Sequence, residues 1–107
     1  MQVRIILEHM EENNMEFEVD FDKISEIYGR DTLNDMQNNI DEVIENVKYM
    51  YTLGFDDVED IFERETLLFL YDSSTFKEKL DKLILRLGVT YVDDIENDLS
   101  LLEELQW

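Results

Sequence analysis

Phe55-Asp56-Asp57-Val58-Glu59-Asp60-Ile61-Phe62 is the stretch that decides the fold, because its pattern occurs three times. Phe21-Asp22-Lys23-Ile24-Ser25-Glu26-Ile27-Tyr28 matches it 34 residues earlier, and Val89-Thr90-Tyr91-Val92-Asp93-Asp94-Ile95-Glu96 repeats it more faintly 34 residues later. The likeness continues outward at the same offset. Arg30-Asp31-Thr32-Leu33 aligns with Arg64-Glu65-Thr66-Leu67, Leu67-Leu68 with Leu101-Leu102, and Leu53-Gly54 with Leu87-Gly88. Self-similarity at such a period marks stacked supersecondary units, usually helical. The spacing predicts an all-α chain, a small right-handed-type helical repeat stack of three 34-residue units at 21–54, 55–88 and 89–107, with an N-terminal cap over 1–20.

Local signals divide each unit into helices. Asp22 is expected to cap Lys23–Tyr28, and Gly29 to end it. Leu33, Met36, Ile40, Val43, Ile44, Val47, Met50 and Tyr51 recur at three and four, the stripe of a helix face, with a break expected near Asn38-Asn39 and a stop at Gly54. In the second unit Asp56 or Asp57 caps Val58–Arg64, Leu67–Tyr71 forms a short apolar turn or helix, and Ser74 caps Thr75–Leu87. Thr90 then caps Tyr91–Asn97, and Leu99–Leu105 reads as a last apolar helix. Two readings compete at the N-terminal end. Val3, Ile6, Leu7 and Met10 fit one face of a helix ending near Asn13, whereas the strict alternation of residues 15–21 fits a strand. The segment is either a helix followed by extended chain, or a β-hairpin pairing Val3–Leu7 with residues 15–21.

Composition bounds the function. The chain has 107 residues, 44% of them hydrophobic, enough for one domain with a core. It has no cysteine, so no disulfide framework and no thiolate metal site. No apolar run is long enough to span a bilayer, and Met1-Gln2-Val3-Arg4 has no signal-peptide core, so a cytoplasmic home is expected. Acids outnumber bases 28 to 9, for a net charge of −19. That balance excludes direct binding to nucleic acid or to anionic membranes, which require cationic surfaces. A partner should be a protein with a basic face. Alanine and proline are absent while Asn, Ile and Asp abound, which is compatible with an AT-rich bacterial or phage genome.

Catalytic chemistry finds no constellation. His9 is the only histidine, there is no thiol nucleophile, and Gly29, Gly54 and Gly88 stand apart rather than in a phosphate-cradling loop. Asp56-Asp57 with Glu59-Asp60, and Asp93-Asp94 with Glu96, lack the turn glycine and terminal glutamate of a calcium loop. Acids at a helix start favour the helix dipole in any case. The chain is therefore expected to be no enzyme, with no cofactor and no metal. Bases concentrate at Lys77, Lys79, Lys82 and Arg86, where pairing with neighbouring acidic helices is expected.

The unit Leu53-Gly54-Phe55, Val58, Ile61-Phe62, Leu67-Leu68, Phe76, Leu80, Leu87-Gly88-Val89 resembles those of the mitochondrial transcription termination factor family, over residues 21–105. The tetratricopeptide repeat has a similar period but packs through alanine, which this chain lacks. The resemblance implies a curved helical stack. Two departures stand against carrying over the family's activity. Glu65-Thr66 replaces the usual proline before the leucine pair, and the family's basic concave face is absent from an acidic chain, so no family binding residue transfers.

These observations point to a non-catalytic inhibitor or adaptor that engages a basic protein surface. Carboxylates three or four apart on a helix lie about 5–6 Å apart at Cβ, of the order of phosphate spacing, so a nucleic-acid mimic of the phage anti-defence kind (anti-CRISPR or anti-restriction) fits. Glu59, Asp60, Glu63, Asp93, Asp94 and Glu96 are the expected contacts. An immunity protein or antitoxin neutralising a basic toxin shares the same physics. A helical-repeat adaptor gripping a peptide or helix in an apolar groove, with Tyr49, Tyr91 or Trp107 as anchors, is the alternative from another class.

Overall fold

Residues 2–7 and 15–106 are described here from a computed structural model. The fold is all-α, as the spacing predicts, apart from one antiparallel hairpin at its N-terminal end. Strands β1 (Gln2–Leu7) and β2 (Met15–Asp20) pair with Val3 opposite Val19 and Ile5 opposite Phe17. This corrects the helical reading of Val3–Asn13 where it falls on β1. The β-branched Val3, Ile5 and Ile6 suit a strand, and the alternating segment 15–20 supplies the ladder partner that an isolated strand lacks. Residues 8–14, including the expected helix end near Asn13, and Trp107 lie outside the described residues.

Helices α1 (Phe21–Tyr28), α2 (Arg30–Asn38) and α3 (Ile40–Thr52) follow β2. Next come α4 (Val58–Arg64), a 3-10 helix over Thr66–Leu70 and α5 (Ser73–Leu87). A short 3-10 turn over Gly88–Thr90 leads into α6 (Tyr91–Asn97) and α7 (Ser100–Glu103), which runs on as 3-10 through Gln106. Elements α3 and α5, α4 and α6, and Thr66–Leu70 and α7 each fall close to 34 residues apart. Gly54 and Gly88 occupy equivalent breaks with φ of +100° and +80°, a region in which only glycine avoids a steric cost.

Asp57 and Thr90 stand at the N-caps of α4 and α6 as expected, while two other caps lie two residues before the expected ones. Asp20 rather than Asp22 accepts the Lys23 backbone N–H (3.2 Å), so α1 starts earlier. Asp72 rather than Ser74 caps α5, accepting the Thr75 N–H at 3.1 Å and its hydroxyl at 2.7 Å. Thr90 stands at the start of α6, but its hydroxyl donates to Asp94 (2.9 Å) instead of accepting a backbone N–H.

An aromatic row runs through the core. Phe17 meets Phe62 edge-on at 5.3 Å, Phe62 meets Phe69 at 5.1 Å, and Phe69 meets Phe76 at 5.2 Å between ring centroids. All four are essentially fully buried. The row joins hairpin, α4, 3-10 helix and α5, so each element is fixed by the next. Such ring pairs contribute about 0.5–1.5 kcal/mol each beyond the area they bury. Asn46, Thr66 and Glu65 are the buried polar residues among those described. Asn46, fully buried on α3, donates its amide to the carbonyls of Phe69 (3.0 Å) and Tyr71 (2.8 Å) and so holds the chain between the 3-10 helix and α5.

Candidate binding face

Helix α4 buries Val58, Ile61 and Phe62, which recur at three and four. That phase turns Glu59, Asp60 and Glu63 away from the core. Helix α6 buries Ile95, and the chain beyond it buries Leu102. The packing brings α4 beside α6 and α7 on one side of the molecule, and two adjoining recesses mark where they meet. The smaller, about 110 Å³, is lined by Asp57, Asp60, Ile61, Glu96 and Leu99. The larger, about 450 Å³, shares Asp60 and Leu99 with it and opens between α1, α4 and α7. Glu63, Glu65 and Glu103 bring carboxylates to its wall, and Ile27 and Tyr28 bring apolar surface from α1.

Specific bonds hold this geometry. Tyr28 donates its hydroxyl to the carbonyls of Arg64 (2.8 Å) and Glu63 (3.3 Å) at the end of α4, where the last carbonyls lack intrahelical partners; Glu63 O also accepts the Thr66 hydroxyl at 3.4 Å. Lys23 on α1 reaches Glu63 at 3.0 Å, and Arg64 Nε reaches Asp60 at 3.2 Å one turn back on α4. All four side chains are at least a third exposed, so each pair contributes only about 0–1 kcal/mol. Negative charge is felt nearby. Burial first, and then the carboxylates of Glu59 and Asp57, push the Tyr51 phenol above its ordinary range.

The six expected contact residues separate into two groups. Asp60, Glu63 and Glu96 gather at the recesses. Glu59, Asp93 and Asp94 lie outside both; Glu59 and Asp93 are exposed, and Asp94 accepts the Thr90 hydroxyl. The structure adds Asp57, Glu65 and Glu103 to the face. Asp57 stood inside the acidic run already noticed. Glu65 closes that run, and it is only 5% exposed where the sequence shows merely an acid before Thr66. Glu103 reaches the groove because α7 lines it together with α1 and α4.

The bases behave differently. Lys82 pairs with Glu78 (3.2 Å) and Arg86 with Glu104 (3.1 Å), while Lys77 and Lys79 lie over the rings of Tyr49 and Tyr71 at 5.4 and 5.1 Å. Helix α5 thus spends its cations on its own neighbours. Among the described residues no group of three or more His, Asp or Glu is placed to hold a metal ion, and no helix is long and apolar enough to cross a membrane. Comparison with protein-family models, with curated proteins and with solved structures found no match.

Proposed function

We propose that the protein is a non-catalytic inhibitor or adaptor that engages a basic surface of another protein through the face formed by α4, α6 and α7. The observation that carries this reading is the convergence of Asp57, Asp60 and Glu96 on one recess and of Glu63, Glu65 and Glu103 on the groove adjoining it. Acidic residues kept only for solubility have no reason to line concave surface, and a net charge of a few units already serves that purpose. A nucleic-acid mimic directed at a nucleic-acid-binding enzyme, as in phage anti-defence, is the form we favour; an immunity protein or antitoxin would use the same face. The 34-residue recurrence of elements and of positive-φ glycines supports a curved stack of the kind seen in mitochondrial transcription termination factors, with a different surface chemistry.

The test is capture of binding proteins from the source cell's lysate at low and high salt, with the wild type and an Asp60→Lys/Glu96→Lys variant. A basic partner held by the wild type at low salt, released at high salt and ignored by the variant is the expected result. A partner held equally by both proteins would sink the assignment of this face.

A second reading has its own observation. Val89 is 99% and Leu85 83% exposed, and with Ile84, Gly88 and Tyr91 they line an apolar recess of about 280 Å³ where α5 ends. This favours an adaptor gripping an apolar segment, and retention of the partner through high salt would select it, since charge-driven attraction is screened.

A further inference from the structure

We propose that the groove between α1, α4 and α7 receives one arginine or lysine side chain of the partner, and that Lys23 and Arg64 are internal cations which hold its place. The inference rests on the acidic-face reading and names what that face recognises.

The first argument is shape. At about 450 Å³ the groove lies within the roughly 300–1,000 Å³ of small-ligand pockets, large enough for one long side chain. The second is the chemistry of its walls. Ile27, 58% exposed, lines it together with Tyr28, Leu99 and four carboxylates. A ligand matching both kinds of lining has an apolar stem and a cationic head, which describes arginine and lysine.

The third argument is depth. Glu65 lines the groove at 5% exposure, the least exposed acid on the face. Attraction between opposite charges strengthens as water is excluded, so a cation seated in the groove gains more than one resting on exposed Asp57. The fourth is that cations already sit there. The Lys23 ammonium stands 3.0 Å from Glu63 and the Arg64 guanidinium 3.2 Å from Asp60. The groove's oxygens therefore accept both nitrogen types at bonding distance. Both pairs are solvent-exposed and weak, so an incoming cation replaces them at little cost. Four carboxylates against these two bases leave the groove net negative even with the internal cations in place.

The probe is N-acetyl-arginine amide, with N-acetyl-norleucine amide as the uncharged control, titrated into the full-length 15N-labelled protein and followed by amide chemical shifts. Shifts are expected at Tyr28, Glu65, Leu99 and Glu103 with the arginine probe alone. The variant Lys23→Gln/Arg64→Gln is expected to bind it about three- to tenfold tighter, since two weak pairs no longer compete. That variant is also more negative overall, so Lys48→Gln/Lys82→Gln, with the same change of charge away from the groove, is the control and should leave affinity within about twofold. Equal tightening by both double variants, or shifts spread evenly over α4 and α6, would overturn the proposal. Lysate capture that succeeds while the probe fails would overturn the groove alone; capture lost together with the probe would remove the acidic-face reading as well.

Discussion

Asn46 gives the most direct check on how the core is held. It lies on the buried face of α3 among Val43, Val47 and Met50, and its amide nitrogen donates to two carbonyls on the segment leading into α5. Replacing it with alanine removes both bonds. The Phe69 carbonyl is buried and would be left unsatisfied, which costs about 1–3 kcal/mol. The Tyr71 carbonyl is part-buried and can turn to water, so its loss is nearer the net worth of an ordinary hydrogen bond, about 0.5–1.5 kcal/mol. One contribution acts the other way. The Asn46 Oδ1 is itself buried without a partner, and deleting it relieves a penalty of similar size. The expected net loss for Asn46→Ala is therefore about 2 kcal/mol, a sizeable part of the roughly 5–15 kcal/mol that stabilises a domain.

Asn46→Asp keeps the shape but exchanges the donating nitrogen for an acceptor aimed at two carbonyl oxygens. It should cost more, about 4 kcal/mol, because it also buries a carboxyl group. The assay is urea unfolding followed by far-UV circular dichroism. With a slope of about 1–3 kcal/mol per molar for a protein of this size, Asn46→Ala should lower the midpoint by about 1 M with the slope unchanged. An Asn46→Asp protein no less stable than Asn46→Ala would refute the reasoning, since it would mean that donation to Phe69 and Tyr71 does not hold this segment.

Three further outcomes are expected. Asp72→Ala should lower the urea midpoint at neutral pH; hydrogen bonds from Thr75 hold the Asp72 carboxyl below 3.8, so the deficit should be full above that pH and vanish as pH falls through the lowered value in wild-type titrations. Burial, and then the bond to Asp81, push the Tyr49 phenol up to about 12, so its ultraviolet titration should trail that of ordinary tyrosines near 10; the stability it contributes is present below pH 10 and lost as pH rises toward 12, and Asp81→Asn should bring the midpoint down. The wild type should unfold at a higher urea concentration in 0.5 M than in 0.02 M sodium chloride, because screening relieves the repulsion of a net charge of −19.

Helix placement was largely legible in the sequence, because the stripe at three and four and the glycine stops are local signals. The stripe over 40–51 became α3, and Gly54 and Gly88 ended helices as expected. The hairpin was legible only in half. Alternation marked β2, but Val3–Leu7 satisfies both periods, and a ladder partner decides between them. The caps of α1 and α5 were misplaced by two residues because several adjacent acids and hydroxyls compete for each helix start. Asn46 was invisible as a core residue, since nothing local distinguishes a buried asparagine from an exposed one on a helix edge. The phenylalanines at 55, 62, 69 and 76 keep a seven-residue spacing that resembles a helical heptad yet crosses α4, the 3-10 helix and α5. On the candidate face the sequence reached Asp60, Glu63 and Glu96, which follow from the helical phase of α4 and α6. It did not name Asp57, Glu65 or Glu103 as contacts, and the place of Glu103 depends on where α7 lies relative to α4.

The acids divide by what they do for the fold itself. Asp20 and Asp72 cap helices, Glu42 accepts the Ser73 N–H at 2.7 Å, and Asp98 accepts the Ser100 N–H at 3.2 Å. These roles need only a handful of residues. Pairing cannot account for the remainder, since 28 acids face 9 lysines and arginines in the whole chain. Repulsion among the surplus is therefore a property of the folded chain that no internal rearrangement removes, and it opposes folding. A cationic partner relieves it on binding, so part of the association free energy comes from repulsion already present in the free protein. Added salt then acts in opposite directions on the two equilibria. It screens the internal repulsion and raises stability, while it screens the partner's attraction and lowers affinity. A purely solubilising surface produces the first slope without the second, and an apolar docking surface does the same. The acidic-face reading requires both slopes, and requires the second to diminish when Asp60 and Glu96 are reversed.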